Sequence, residues 1–344
     1  MNHDEHVVWT RNKPCCFKPL GMSLQHNPIH LSVTIRVKSL LLFLKNIYMN
    51  TSTPLTFAIF GNEYQIHKSA SISKILGCLE KHEADVCIDK AFYDFLVKRQ
   101  LIDLPDVRVF SDSQFDADFV ISMGGDGTLL KAASRVGDKQ IPIIGVNMGR
   151  LGFLAGVMPC DIEDMVNDIF NGEYVLDRHA AIQVEVEGTI LRENPLALND
   201  IAVLKRDNAS MISIRTCVNG EFLTNYLADG LIVATPTGST AYSLSNGGPV
   251  IVPQTGILCL TPVAPHSLNA RPVIISDDSV ISLEVESRSH NFLVAIDGRS
   301  EKLADDMRLT IRKAPTDILI VKRKESRYFS TLRKKLMWGA DPRR

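Results

Sequence analysis

Between Leu55 and Val146, short apolar runs alternate with stretches whose apolar residues recur at helical spacing. Leu55-Thr56-Phe57-Ala58-Ile59-Phe60 reads as a strand that ends in a turn at Gly61-Asn62. Ser69 to His82 places Ile72, Ile75 and Leu79 on one face of a helix. Val86-Cys87-Ile88 is a second short strand, and Phe92 to Arg99 a second amphipathic stretch. The run Phe119-Val120-Ile121-Ser122-Met123 then breaks into Gly124-Gly125-Asp126-Gly127-Thr128 and resumes helically at Leu129, Leu130, Ala132 and Ala133. Ile141 to Val146 follows as another strand. Strands alternating with helices predict a parallel sheet covered on both faces, with ligands at the carboxyl ends of the strands.

Past Asp161, read as the cap of a helix over Ile162 to Phe170, the period drops to two. Ile182, Val184 and Val186 alternate with Gln183, Glu185 and Glu187, and Ile281, Leu283 and Val285 with Ser282, Glu284 and Glu286. Asn219-Gly220 is a two-residue hairpin signal between Arg215–Val218 and Glu221–Leu223. The second half is therefore expected to be mostly antiparallel β in packed layers. The expected organisation is a poorly ordered or dispensable extension over 1–53, an α/β domain over 54–160, a β-rich domain over 161–327, and a C-terminal helix and tail over 328–344 packing back on the first domain. Met49 stands just before the first strand, and the working protein is expected to begin there or nearby.

Composition narrows the function. At 344 residues the chain can bury a sizeable core, and its formal net charge of −1 argues against a nucleic-acid binder. Leu31 to Tyr48 is interrupted by Arg36, Lys38 and Lys45 and is too short and charged for a membrane span. The seven cysteines are scattered without C-x-x-C spacing, which fits reduced cytoplasmic thiols, and no structural zinc is expected.

Two runs carry candidate chemistry. In Gly124-Gly125-Asp126-Gly127-Thr128, three glycines remove the Cβ atoms that would keep a ligand off the backbone, so N–H groups can face a phosphate at a helix N-terminus. Asp126, the one charged group there, either accepts a proton from an attacking hydroxyl or holds Mg²⁺, or else completes a turn and caps the helix. In Tyr226 to Pro249, an apolar strand runs into small and hydroxyl residues around Tyr242. That composition suits a pocket that hydrogen-bonds a sugar or amide with an aromatic ring against a base; a plain Ser/Thr-rich loop is the alternative.

Together with Asn147-Met148-Gly149-Arg150-Leu151-Gly152-Phe153-Leu154 and Leu198-Asn199-Asp200, these runs resemble the NAD kinase family from about Leu55 onward. The glycine motif alone is shared with lipid kinases; the full set, in this order, is specific. The resemblance implies a phosphofructokinase-like parallel α/β domain, a mostly antiparallel β-rich domain, NAD and ATP as substrates with Mg²⁺ or another divalent cation, and a homodimer or homotetramer. It also implies that Asp126 accepts the proton of the adenosine ribose 2′-hydroxyl and that Gly127 and Lys131 line the nucleotide. Asn199 and Asp200 match an Asn-Glu pair, here one methylene shorter. Asp229, Thr240, Ala241, Tyr242, Ser243, Leu244 and Ser245 match NAD-contacting segments, and Ala264 and Arg299 further contacts. A lipid kinase would leave Asn199-Asp200 and Thr237 to Ser245 unexplained, and a non-catalytic dinucleotide sensor is the competing reading from another class.

Overall fold

The structure, a computed structural model, describes residues 54–61, 69–100, 107–149, 152–206, 210–324 and 327–338. The expected extension over 1–53 and the Arg150-Leu151 step of the second motif lie outside the described residues. The first half runs β1 (Thr56–Gly61), α1 (Ser69–Lys81), β2 (Asp85–Asp89), α2 (Lys90–Lys98), β3 (Arg108–Phe110), β4 (Phe119–Gly124), α3 (Asp126–Val136), β5 (Ile143–Asn147), α4 (Ile162–Phe170) and β6 (Tyr174–His179). Strands β1 to β5 pair in parallel in the order β3-β2-β1-β4-β5. Every residue of β4 and β5 is buried, as continuous apolar runs covered on both faces require.

The second half continues with β7 (Ile182–Val186), β8 (Leu196–Ala197), β9 (Asp200–Lys205), β10 (Ile212–Val218), β11 (Glu221–Ala228) and β12 (Gly230–Ala234). After a single helical turn, α5 (Tyr242–Ser245), come β13 (Ile257–Val263), β14 (Val273–Ser276), β15 (Ile281–Glu286), β16 (Asn291–Ile296), β17 (Arg299–Ala304), β18 (Arg308–Lys313) and β19 (Ile318–Arg323). Two six-stranded antiparallel sheets result, β11-β10-β15-β18-β7-β8 and β14-β13-β12-β9-β16-β17. Their inner faces share one core, with Val184, Ile214 and Leu283 from one sheet against Val203, Leu231 and Phe292 from the other. Asn219 and Gly220 both adopt left-handed backbone and join Val218 to its partner Glu221, the expected hairpin.

Two strands from the 161–327 segment join the first sheet. β19 pairs in parallel with β5, and β6 pairs antiparallel with β19 at the edge. Ile318-Leu319-Ile320-Val321 is buried on both faces, which fits a sheet interior and not a one-sided layer. Asp161 does not cap α4: it makes no side-chain cap bond, because it leaves a 3₁₀ turn (Pro159–Asp161) at φ −94°, ψ 3° rather than in the extended conformation that aims a cap. The last helix, α6 (Tyr328–Leu336), buries Leu332, donates the Tyr328 hydroxyl to the Ile251 carbonyl at 3.4 Å, and brings Lys335 Nζ to 5.6 Å from the centre of the Phe153 ring.

Candidate active site

β4 and β5 are neighbours, so the loops leaving their carboxyl ends emerge side by side. Gly125 takes extended backbone and α3 starts at Asp126. Asp126 does not fold back to cap its own helix. Its Oδ2 accepts the Phe153 N–H at 2.9 Å, and its Oδ1 accepts Leu154 N–H at 3.1 Å and Ala155 N–H at 3.0 Å. The Met148 N–H donates to the Gly124 carbonyl at 2.9 Å, so the two loops are tied on both sides.

The glycines do different jobs. A Cβ on Gly124 would collide with the Thr128 side chain, whereas Cβ atoms on Gly125 or Gly127 would meet nothing within 4 Å. Gly124 thus serves internal packing, while Gly125 and Gly127 border open space in which only a ligand would feel a side chain. Lys131, half-exposed on α3, forms an ion pair at 3.1 Å with the buried Asp89 at the carboxyl end of β2.

The 198–200 segment meets the glycine motif through Leu198, which lies in one apolar cluster with Leu129, Ala133 and Leu154. The Asn194 amide also donates to the Ser134 carbonyl of α3 at 2.6 Å. Asn199 and Asp200 are therefore presented from the same core as the glycine motif. Asp297 accepts the backbone N–H groups of Leu198, Asn199 and Asp200 at 2.7, 2.8 and 3.1 Å. Gly238 packs so closely on the Asn199 backbone that any Cβ there would overlap its carbonyl. The Asn199 Oδ1 is buried and accepts no hydrogen bond. Burial pushes the Asp200 carboxyl up to about 7, with the Asp297 charge adding and the Tyr242 backbone N–H opposing. That N–H places Asp200 against the start of α5.

The hydroxyl-rich run is more structural than its composition indicates. Ser239 is buried and exchanges bonds with Ile251, accepting its N–H at 2.9 Å; Ser243 shares a bond with Thr261 at 2.9 Å; the Thr240 hydroxyl donates to the Thr237 carbonyl at 3.3 Å. Tyr242 and Ser245 are exposed, with Ala241 and Leu244 partly so. His179, buried on β6, lies 2.8 Å from the Thr237 hydroxyl through Nδ1 and 3.0 Å from Asp177 through Nε2. Burial pushes Asp177 up, but His179 and Lys322 outweigh it and hold its carboxyl well below the usual range.

Three of the expected residues are placed differently. Asp229 pairs with Lys205 at 2.6 Å and lies with exposed Ala264 (φ 42°) beyond the Gly230 end of β12, while Asp200 pairs with Ala234 at the other end. Four strand steps separate those ends by roughly 13 Å. Arg299 donates to the Asn194 and Leu196 carbonyls at 3.1 and 2.8 Å, bracing the segment that leads to Asn199.

The match to known sequences is direct. The sequence models of the ATP-NAD kinase N-terminal and C-terminal domains match residues 24–174 and 198–323. An NAD kinase of Bacteroides fragilis is 54% identical over 289 residues, 84% of this chain and 100% of the relative. The chain belongs to the NAD kinase family. An NAD kinase of Cytophaga hutchinsonii is 39% identical over 292 residues, again 84% of this chain and 100% of the relative. Among solved structures, an NAD kinase from Archaeoglobus fulgidus in complex with ATP superposes with a TM-score of 0.64 at 27% identity, covering 82% of this chain and 99% of that one. Yeast NADH kinase complexed with NADH superposes with 0.76 at 20% identity over 85% and 89% of the two chains, which shows the shared fold. The chain is thus a kinase, and the general reaction of its family is phosphorylation of NAD to NADP.

Sequence reasoning passed over Asp89, His179 and Asp297 and took Thr235 only as one of the hydroxyl residues of the Tyr226 to Pro249 run; all four contact the motifs. Only Asp297 carried a local signal: Asp297-Gly298 follows the alternating Phe292, Val294 and Ile296, a hairpin pattern as strong as Asn219-Gly220.

Proposed function

We propose that NAD lies between the glycine bend and the 198–245 wall, with the 2′-hydroxyl of its adenosine ribose against Asp126. The observation that carries this reading is the anchoring of Asp126 by three N–H donors beside open space. A carboxylate offers about four acceptor positions. Oδ1 has two filled and Oδ2 one, so Oδ2 is the atom left to take the hydroxyl proton as the γ-phosphate of ATP arrives. Phosphoryl transfer needs positioning more than covalent help, and a base that cannot swivel supplies it.

In this reading the N–H groups of the glycine bend, Gly127 among them, and the Lys131 ammonium steady phosphates. Asn199, whose buried Oδ1 has no partner, and Asp200 hold the adenosine, and the exposed Tyr242 ring packs on the base beside Thr240 to Ser245. Mg²⁺ or another divalent cation bound with ATP would offset charge on its phosphates.

Asp229 and Ala264 fit the same reading if a second copy of the chain supplies them. They lie at the opposite end of β12 from their own Asp200, and the edge strand β11 exposes Phe222, Leu223 and Leu227, an apolar stripe suited to a homo-oligomer contact. Mixing an Asp126→Asn variant with an Asp229→Ala variant is expected to restore NADP formation through hybrid assemblies; no recovery counts against the shared site. We place the enzyme in the cytoplasm, a reading supported by the free cysteines Cys78, Cys87, Cys160, Cys217 and Cys259. No helix among the described residues is long and apolar enough to cross a membrane.

The direct test is incubation of the purified chain with ATP, Mg²⁺ and NAD, with polyphosphate in a parallel reaction. NADP formed from ATP supports the reading. NAD binding without product supports the sensor, and product from a diacylglycerol or sphingoid base instead supports the lipid kinase.

A further inference from the structure

Asp297 lies outside the motifs that carry the family resemblance, yet it holds the backbone on which two of them depend. Asp297 and Gly298 form a two-residue turn between β16 and β17, with φ of 48° and 80° and Ile296 paired to Arg299. Both residues are left-handed, the type I′ geometry that suits a tight hairpin. From this turn the Asp297 carboxylate reaches the entry to β9. Oδ2 accepts the Leu198 N–H at 2.7 Å, and Oδ1 accepts Asn199 at 2.8 Å and Asp200 at 3.1 Å. The Asp297 N–H returns a bond to the Asp200 carbonyl at 3.0 Å.

The carbonyl side of the same peptides is held from β12. The Thr235 hydroxyl donates to the Leu198 carbonyl at 2.6 Å and the Asn199 carbonyl at 3.2 Å, and the Thr235 N–H donates to the Asn199 carbonyl at 2.9 Å. The same hydroxyl accepts the Gly238 N–H at 3.1 Å, which seats Gly238 on Asn199. The N–H groups of residues 198–200 are thus gripped by one carboxylate, the carbonyls of 198 and 199 by one threonine, and the carbonyl of 200 by the Asp297 N–H. Burial pushes the Asp297 carboxyl up, while the three N–H groups and Arg299 favour its charge. A backbone held this firmly can keep the Asn199 Oδ1 buried and unpartnered, a cost that a relaxed loop would relieve by turning the amide to water.

We propose that Asp297 is a positioning residue for dinucleotide recognition: together with Thr235 it clamps residues 198–200 so that the Asn199 amide and the Asp200 carboxyl meet the adenosine at a fixed spacing. The inference rests on the assignment of Asn199 and Asp200 to NAD made above. The clamp touches neither the glycine bend nor Lys131, so it acts on the acceptor and leaves the phosphate donor alone.

Asp297→Ala and Asp297→Asn are compared with the wild-type enzyme by calorimetric titration of NAD, by KM for NAD and for ATP, and by thermal unfolding. Asp297→Ala is expected to weaken NAD binding about tenfold, the usual consequence of losing a support behind a ligand-binding group, with KM for ATP within about twofold. Asp297→Asn, which keeps one acceptor oxygen, is expected to fall between. An unchanged Kd for NAD in folded Asp297→Ala, or equal increases in both KM values, overturns the proposal. Should Asp297→Ala fail to fold, Thr235→Val removes the hydroxyl grip on the same peptides; a weaker Kd for NAD supports the clamp, and an unchanged one overturns it. A wild-type protein that neither binds NAD nor makes NADP would defeat the underlying reading instead.

Discussion

Gly152 packs directly against Asp126: a Cβ at residue 152 would overlap the Asp126 carboxylate. The glycine leaves room for the acid to lie flat against the N–H groups of Phe153, Leu154 and Ala155. Gly152→Ala is expected to push the carboxylate off some of the three N–H groups that hold it, at a cost of about 1–3 kcal/mol. Turnover of the protein that remains folded should fall by about 10-fold or more, since small misplacements of a reacting group are costly. Steady-state kinetics beside a melting curve check this; wild-type kcat in the variant would contradict it.

Two glycines of the bend separate folding from binding. Gly124→Ala forces a Cβ into Thr128 and is expected to destabilise the protein by about 1–3 kcal/mol in denaturant unfolding. Gly127→Ala enters open space at a helical position and should leave stability unchanged or raise it by up to about 1 kcal/mol. Its cost is expected in substrate affinity instead. Equal losses of stability in both variants would show that the open space is not a ligand site.

Asp200 makes stability depend on pH with a defined sign. Its folded value of about 7 lies above the ordinary 3.8, because burial disfavours the charge and Asp297 adds to the effect. The folded state therefore holds this proton more tightly than the unfolded state. The contribution is fully present below the ordinary value and is lost as pH rises toward 7. Asp200→Asn carries no ionisation, so its melting temperature relative to wild type should rise between about pH 5 and pH 8. A difference that stays constant across that range would contradict the assignment.

His179 connects the edge of the first sheet to the hydroxyl-rich run. His179→Phe keeps the ring volume but leaves the Thr237 hydroxyl without its imidazole partner and takes from Asp177 one of the two groups, His179 and Lys322, that together outweigh its burial. A loss of about 1–3 kcal/mol is expected in denaturant unfolding, the usual cost of stranding buried polar groups. An unchanged midpoint would mean that water replaces the ring.

Local signals carried most of the first sheet and the hairpin at Asn219-Gly220, because a strand, a turn or an amphipathic helix is written within ten or so residues. Sheet membership is not local. Nothing near Ile318 marks it as the neighbour of Ile143 rather than of the antiparallel layers, and only burial on both faces shows that it belongs there. The glycine bend stood out in the sequence by its composition, with a catalytic and a turn-forming reading both open for Asp126, and the Asn199-Asp200 pair entered through the family resemblance. The supports of that pair were not legible, because Thr235 and Asp297 become partners of residues 198–200 only once β12, β9 and β16 pair. Asp229 shows the converse: it sits in a motif, yet the register of β12 sends it to the far end of the strand.

The most direct measurement is NADP formation by Asp126→Asn with NAD affinity determined in parallel. The amide can still accept from Leu154 and Ala155 through its oxygen, while its NH₂ faces the Phe153 N–H in place of Oδ2, so the loop loosens only slightly. The proton acceptor is gone, and kcat should drop by about 10²–10⁴-fold while Kd for NAD stays within about threefold. A folded Asp126→Asn enzyme that binds NAD and turns over at the wild-type rate would contradict the central claim.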